Sequence, residues 1–240
     1  MRLLIVIPTY NEAQNIAGLI ARIQRLLGNT LRPHILVVDD NSPDGTAGIV
    51  TDLARTDYPG RISTLHRSGK QGLASAYVSG FQWGLKRGYD AIAEMDADFS
   101  HAPRYLPRMA AALKSCDFVV GSRYTPGGGV KGWQLWRRIV SRGGSLYAQA
   151  ILGLAMADLT GGYNLWSRKV LAGIGLERIR SDGYTFQIEL KYRALRQGFR
   201  GAEVPITFED RFAGRSKMSR RIVMEAVWRV WQLRLAGSLL

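Results

Sequence analysis

The chain has 240 residues, enough for one sizeable α/β domain or a domain with an appendage, and its 46% hydrophobic content is that of a globular protein. Its 33 Lys and Arg against 19 Asp and Glu leave a net charge of +14, which calls for an anionic partner: nucleic acid, a membrane surface or a phosphorylated substrate. The single cysteine, Cys116, excludes an internal disulfide and any cysteine-rich metal site and favours a reducing compartment.

No secretory leader is expected, because MRLLIVIPTYNE runs straight into structure. LLIVIP is a continuous apolar run of the kind a buried parallel strand carries. Asn11 follows as a helix N-cap, and EAQNIAGLIARIQRLL repeats apolar residues at helical spacing. HILVVDD predicts a second buried strand, closed by the turn-rich NSPDGT. TAGIVTDLART then predicts a helix, RISTLHR a third strand, and GLASAYVSGFQWGLKRG a helix with small residues for close packing. DAIAEMD predicts a fourth strand, RYLPRMAAALKS a helix and CDFVVGSRY a fifth strand.

Beyond residue 125 the pattern changes. TPGGGVKGW reads as a glycine-rich loop, SLYAQAILGLAMA as a helix and TGGYNLWSRKVL as a mixture of turn residues and strand. TFQIELKYRALRQG predicts a helix, and RGAEVPITFEDR an edge strand whose Pro205 cannot donate to a ladder. No linker or internal repeat is visible. No segment reaches the roughly 20 apolar residues of a bilayer span; the uncharged stretch GGSLYAQAILGLAMA, at 15, suits a buried or interfacial helix. In SRRIVMEAVWRVWQLRLAGSLL, Arg221, Glu225, Arg229 and Gln232 share one helical face, and Ile222, Val223, Val227, Val230, Trp231 and Leu235 share the other. That pattern fits a membrane-interface helix and, equally, a helix packed on its own domain.

Alternating strands and helices imply right-handed βαβ units and a mostly parallel sheet, with ligands at the carboxyl ends of the strands. PTYNE, DDNSPDG and DADFSH fall together on that edge. The first strand lacks the glycine-rich turn of a dinucleotide fold or a P-loop. It offers instead Tyr10, a flat surface for a base, and Glu12, a hydrogen-bond acceptor. Asp96 and Asp98, at the end of a buried strand, suit a hard divalent cation, Mg2+ or Mn2+, and leave room for phosphate oxygens. Such a cation would neutralise a leaving diphosphate. A uniform nucleic-acid stripe would not need these acids beside it, so no nucleic-acid partner is expected.

VIPTYNE, VVDDNSPDGT, AEMDADFSH, GSRY, SRGG, DLTGGYNLWSRKVL and EVPITFEDRFAGRSK, in that order and spacing from residue 3 to about residue 219, resemble the dolichol-phosphate mannose synthases. These are inverting family 2 glycosyltransferases. The resemblance implies a GT-A nucleotide-sugar-binding domain, over residues 1–218; the amphipathic pattern beyond it, over 219–240, is then expected as a membrane-interface helix, since a polyprenyl tail must stay in the bilayer. The resemblance also implies GDP-mannose as donor, a divalent cation, and a polyprenyl (dolichyl-type) phosphate as acceptor. Pro8, Tyr10, Glu12, Val38 and Asp40 match positions that hold the guanosine, and Asp96, Ala97 and Asp98 match the acidic motif that binds metal and sugar nucleotide. Arg123, Arg211 and Lys217 match basic residues that contact the phosphates of donor or acceptor; Arg142 is a further candidate for the lipid phosphate.

Two departures stand out. Some relatives carry Gln as a third metal ligand where this chain has Ser100, here the candidate third ligand though a poorer one whose place water could take; and glycine is common where it has Ala74, which would restrict that loop if its φ were positive. Lys70, just before it, is a candidate phosphate contact. The implied reaction needs no general base, because a phosphate acceptor is already ionised near neutral pH; His101 is therefore expected to orient the acidic loop. The protein is expected at the cytoplasmic face of a membrane, peripherally. Since some relatives continue into transmembrane helices, a chain stopping at Leu240 would rely on a membrane-anchoring partner subunit or be a fragment. Two rivals remain: transfer from UDP-glucose or UDP-N-acetylglucosamine to the same acceptor, and a non-catalytic nucleotide- or nucleic-acid-binding protein.

Overall fold

The structure, a computed structural model, describes residues 1–209 and 220–236. Its first half is the predicted alternation: β1 (Leu3–Thr9), α1 (Ala13–Leu27), β2 (His34–Asp39), α2 (Thr46–Thr56), β3 (Ile62–His66), α3 (Leu73–Lys86), β4 (Ala91–Glu94), α4 (Leu106–Ala112) and β5 (Phe118–Ser122). The rest comprises β6 (Gly129–Lys131), α5 (Leu135–Leu152), β7 (Asn164–Ser167), α6 (Arg168–Gly173), α7 (Gly183–Arg196), β8 (Gly201–Pro205), β9 (Thr207–Glu209) and α8 (Arg220–Ala236).

Among the described residues, seven strands form one sheet in the order β3-β2-β1-β4-β7-β5-β8. All neighbours are parallel except β7, which runs antiparallel between β4 and β5. β6 and β9 pair as a separate parallel ribbon. The continuous apolar run of β1 is explained by burial on both faces. Leu4 and Val6 face the layer of α3, α5 and α7, while Leu3, Ile5 and Ile7 face α1 and α4. Each such side chain contributes about 1.5–3 kcal/mol when fully buried. α3 lies close on the sheet because Gly80 has no side chain; a Cβ there would run into Val6. Pro205 ends the edge strand β8, as its missing N–H requires.

Four expectations are corrected. Asn11 does not cap α1: it is exposed, at φ 61, and Glu12 holds the cap position without a side-chain cap bond. The service comes from across the rim, where Asp44 Oδ2 accepts the Ala13 N–H at 3.0 Å. The loop TPGGGVKGW contains β6, because its backbone finds β9 as a partner. The helix expected at SLYAQAILGLAMA begins at Leu135 and ends at Gly153, in the left-handed region at φ 68. Gly143 and Gly144 do not break it, and the extra turns expose Leu135, Trp136 and Ile139. Finally, Ala74 sits in the first turn of α3 with no positive φ, so its departure from glycine restricts nothing.

α8 is not a detached appendage. It packs against α5 and α7, with Val230 and Leu233 in the core, while Trp228, Trp231 and Leu235 stay exposed. Among the described residues no helix is long and apolar enough to cross a membrane.

Candidate active site

The carboxyl ends of β1, β2 and β4 form one rim, and its loops are built under strain. Among the described residues, three of the four non-glycine residues with positive φ lie there: Asn11 (61), Asn41 (59) and Phe99 (64), one after each strand. Left-handed backbone costs a non-glycine residue about 1–3 kcal/mol and persists where the surroundings over-determine it, often at functional sites. Side chains supply that determination. Asp39 accepts Thr9 Oγ1 at 2.8 Å, Ser42 Oγ at 2.6 Å and the Ser42 N–H at 2.9 Å. Asp44 accepts the Thr46 hydroxyl at 2.6 Å. Burial works to raise its carboxyl, but the bonds from Thr46 and Ala13 outweigh burial and hold it below the usual range.

At the β1 and β2 ends of the rim, Tyr10 is exposed and Lys70 Nζ lies over its ring, 4.4 Å from the centroid. Glu12 accepts from Asn15 Nδ2 at 2.7 Å. Asp40 is buried, 3.0 Å from Arg67 Nη1, and accepts the Gln71 N–H at 3.2 Å, so it holds the loop that carries Lys70. Pro8, two residues before Tyr10, is half-buried. Val38 and Ala97 do not reach the rim with their side chains. Both are buried in the core, so any ligand contact from them is through backbone.

The acidic motif forms a tight turn. Tyr77 Oη donates to Asp96 Oδ1 at 2.9 Å; burial and then Asp96 push the phenol well above its ordinary value, keeping it a donor. The Asp96 N–H donates to His101 Nδ1 at 3.0 Å, which leaves the ring proton on Nε2, 3.9 Å from Asp96 Oδ2. His101 is buried and stacked on Tyr163 at 4.8 Å, as a loop-orienting residue should be. Asp98 Oδ1 accepts both the N–H and the hydroxyl of Ser100, at 3.1 and 2.6 Å. Ser100, expected as a third metal ligand, is buried with its proton turned to Asp98, and so braces that carboxylate. Asp96 is the open member, with 31% of its side chain exposed. Among the described residues no group of three or more His, Cys, Asp or Glu is arranged to hold a metal. Two carboxylates with oxygen donors fit Mg2+ or Mn2+, provided the other ligands come from substrate or water.

Arginines reach this rim through aromatic contacts. Phe208 meets His101 edge-on at 5.7 Å and Trp133 at 5.3 Å; the Arg123 guanidinium lies 5.8 Å from the Phe208 centroid and 5.1 Å from that of Tyr124. Arg142, exposed on α5, approaches the same Tyr124 ring at 6.0 Å, and Arg137 covers Trp133 at 4.2 Å. Arg123 itself differs from expectation. It is buried and forked on Asp158, with Nε and Nη2 each 2.7 Å from a carboxylate oxygen, and Nη2 also donates to Thr160 Oγ1 at 2.8 Å. Burial would raise the Asp158 carboxyl, yet the charge and bonds of Arg123 keep it below the usual range. Arg211 and Lys217 lie outside the described residues.

Beneath the rim lies a polar core that sequence reading missed. Glu94, two residues before Asp96, accepts Asn164 Nδ2 (3.1 Å), Trp166 Nε1 (2.6 Å) and Gln187 Nε2 (2.5 Å). Burial raises its carboxyl to about 7, against the pull of the bonds from Gln187 and Trp166 and of the Lys191 charge. Lys191, fully buried on α7, is lowered to about 8 by that burial. Glu203 on β8 accepts the N–H groups of Ala157 and Asp158, at 2.8 and 2.9 Å. The signal for this core was an acid inside an apolar strand and a lysine at an inward helical position.

A mostly parallel sheet flanked by helices, with paired acids at its carboxyl rim, is the nucleotide-sugar-binding fold called GT-A. The chain belongs to glycosyl transferase family 2, whose family model matches residues 4–175. It is 45% identical over 240 residues to polyprenol monophosphomannose synthase of Mycolicibacterium smegmatis, covering 99% of this chain and 89% of that one. It is also 45% identical over 237 residues to undecaprenyl-phosphate mannosyltransferase of Micrococcus luteus, covering 99% and 96%. Among solved structures, glucosyl-3-phosphoglycerate synthase of Mycobacterium tuberculosis, in complex with Mn2+, UDP and glucosyl-3-phosphoglycerate, matches with a TM-score of 0.65 at 18% identity, over 99% of this chain and 78% of that one. The same enzyme with Mg2+ and UDP matches with a TM-score of 0.64 at 17% identity, over 99% and 78%. These two share the fold.

Proposed function

We propose that the protein transfers mannose from GDP-mannose to a polyprenyl phosphate, with inversion, at the surface of a membrane. One observation carries this reading. Paired carboxylates and a set of arginines, each suited to a different anion, converge on one rim through His101, Phe208, Trp133 and Tyr124. The names of the two 45%-identical relatives point to the same sugar and acceptor class.

Tyr10 would stack the base, Glu12 and Asp40 would meet its edge or the ribose, and Lys70 would leave the Tyr10 ring for the diphosphate. Asp96 and Asp98 would hold a divalent cation, which when bound neutralises charge on the leaving diphosphate. A phosphate oxygen of the lipid forms a bond to the anomeric carbon as the bond to the GDP oxygen breaks, and GDP leaves with that electron pair. The nucleophile needs no proton removed, since the second phosphate pKa is about 6. Arg142, Arg211 and Lys217 are the candidates to hold the acceptor phosphate, arginine forks matching it well.

Delivery of a lipid requires a surface, and α5 and α8 supply it together. Leu135, Trp136, Ile139 and Leu146 are exposed on α5, beside Arg138 and Arg142; Trp228, Trp231 and Leu235 are exposed on α8, which packs against α5. Apolar and aromatic residues ringed by arginine suit an anionic lipid interface. Placement at the cytoplasmic face fits the lone cysteine. The protein is expected to float with anionic vesicles, and replacing Trp136 and Ile139 together by serine should weaken that partition by at least about tenfold. A single buried apolar side chain contributes about 1.5–3 kcal/mol, and about 1.4 kcal/mol is a factor of ten. Equal flotation of the double variant would remove α5 from the membrane contact.

The deciding assay measures transfer of labelled sugar from GDP-mannose, UDP-glucose and UDP-N-acetylglucosamine into organic-extractable lipid, with and without Mn2+. Transfer from GDP-mannose alone, dependent on cation, is expected. Transfer from a UDP-sugar would reassign the donor, and no lipid product from any donor would reject the reading.

A further inference from the structure

Lys191 is a fully buried ammonium in a protein whose proposed reaction gives it no task. Removing such a charge from water costs several kcal/mol, and a methionine of similar length would avoid that cost. What the lysine does is geometric. Its Nζ donates to the carbonyls of Gly161 (2.7 Å) and Leu159 (3.2 Å) and to that of Gln187 (3.4 Å) on its own helix. It thereby ties α7 to the loop between α5 and β7. That loop carries the fork of Arg123 on Asp158 and the Thr160 hydroxyl, which accepts from Arg123 at 2.8 Å and lies 3.1 Å from Ser145 Oγ on α5.

One turn earlier on α7, Gln187 grips Glu94 on the strand leading to the acidic motif, and accepts from Asn164 at 2.7 Å. The same helix is therefore bonded to both sides of the site. We propose that Lys191 and Thr160 are positioning residues: they fix the arginine-bearing arm, Arg123 and α5, at a set distance from Asp96 and Asp98. The consequence for turnover rests on the acceptor being held by that arm; the mechanical link does not.

The test uses the full chain with Lys191→Met and, because that change strikes the core, the milder Thr160→Val. Amide hydrogen exchange should rise over residues 123–126 and over α5 around Ser145 in both variants, and in Thr160→Val, which leaves the Lys191 charge beside Glu94 in place, stay unchanged over 94–101. The Kd for GDP-mannose with Mn2+ should stay within about twofold, while kcat/KM for polyprenyl phosphate falls by at least about tenfold, a loss of about 1.4 kcal/mol in transition-state stabilisation. A merely structural residue would weaken donor and acceptor sides alike; that result, or no change on either side in Thr160→Val, overturns the proposal. If the wild type itself transfers nothing to polyprenyl phosphate, the acceptor reading fails, and hydrogen exchange alone decides the link.

Discussion

Asp98→Asn is expected to lower turnover by about a hundred- to a thousandfold, the loss typical of removing one preorganised electrostatic group, while the fold survives. The amide oxygen can still accept the Ser100 N–H and hydroxyl, now at 3.1 and 2.6 Å, so the turn keeps its shape. What disappears is one of two negative charges at the end of β4. Losing it relieves repulsion with Asp96, and thermal stability should hold or rise slightly. Asp96→Asn should behave similarly in turnover, but it keeps only an acceptor for Tyr77, at 2.9 Å in the native protein. A stably folded Asp98→Asn enzyme with near-normal, still cation-dependent turnover would show that the cation, if bound, is held elsewhere.

Arg123→Met should unfold the protein more readily than it silences it. The guanidinium and the Asp158 carboxylate have side-chain exposures of 5% and 0%, and three N–H groups of Arg123, including its backbone amide at 3.0 Å, point at that carboxylate. Breaking a buried pair from one side leaves an uncompensated charge and costs about 3–5 kcal/mol. For a chain of this size about 1 kcal/mol shifts Tm by about 2–4 °C, so a fall on the order of 6–20 °C is expected in calorimetry. Arg123→Met combined with Asp158→Leu should recover part of that loss, because the stranded charge goes too. If instead the single variant melts like wild type yet makes no product, Arg123 acts on substrate phosphate after all.

The first half of the fold was legible because buried parallel strands and amphipathic helices write themselves as apolar runs and periods. α2 and the carboxyl-edge loops fell where TAGIVTDLART, PTYNE and DADFSH placed them. The start of α5 was not legible, since its first turns show their apolar residues, Leu135, Trp136 and Ile139, to the outside. β6 was hidden because a three-residue strand exists only through its partner β9. In the site, sequence pointed to the acids themselves but not to their settings. Whether Arg123 meets a ligand or Asp158, 35 residues away, is decided by tertiary placement that no local pattern encodes. The same holds for Glu94, Gln187 and Lys191, whose partners lie on other elements.

The reversed strand β7 enters the sheet between β4 and β5, pairing Ala93 with Leu165 on one side and Val119 on the other. On the proposed reading it stands between the β1, β2 and β4 ends, which would take the nucleotide, and the β5 end beside Tyr124 and Arg142, which would take the acceptor. Two reactants entering by separate doors would not take turns in one pocket. If both are then aboard together, initial-rate plots against either substrate should intersect, as a ternary complex requires, where parallel lines would betray a covalently glycosylated enzyme.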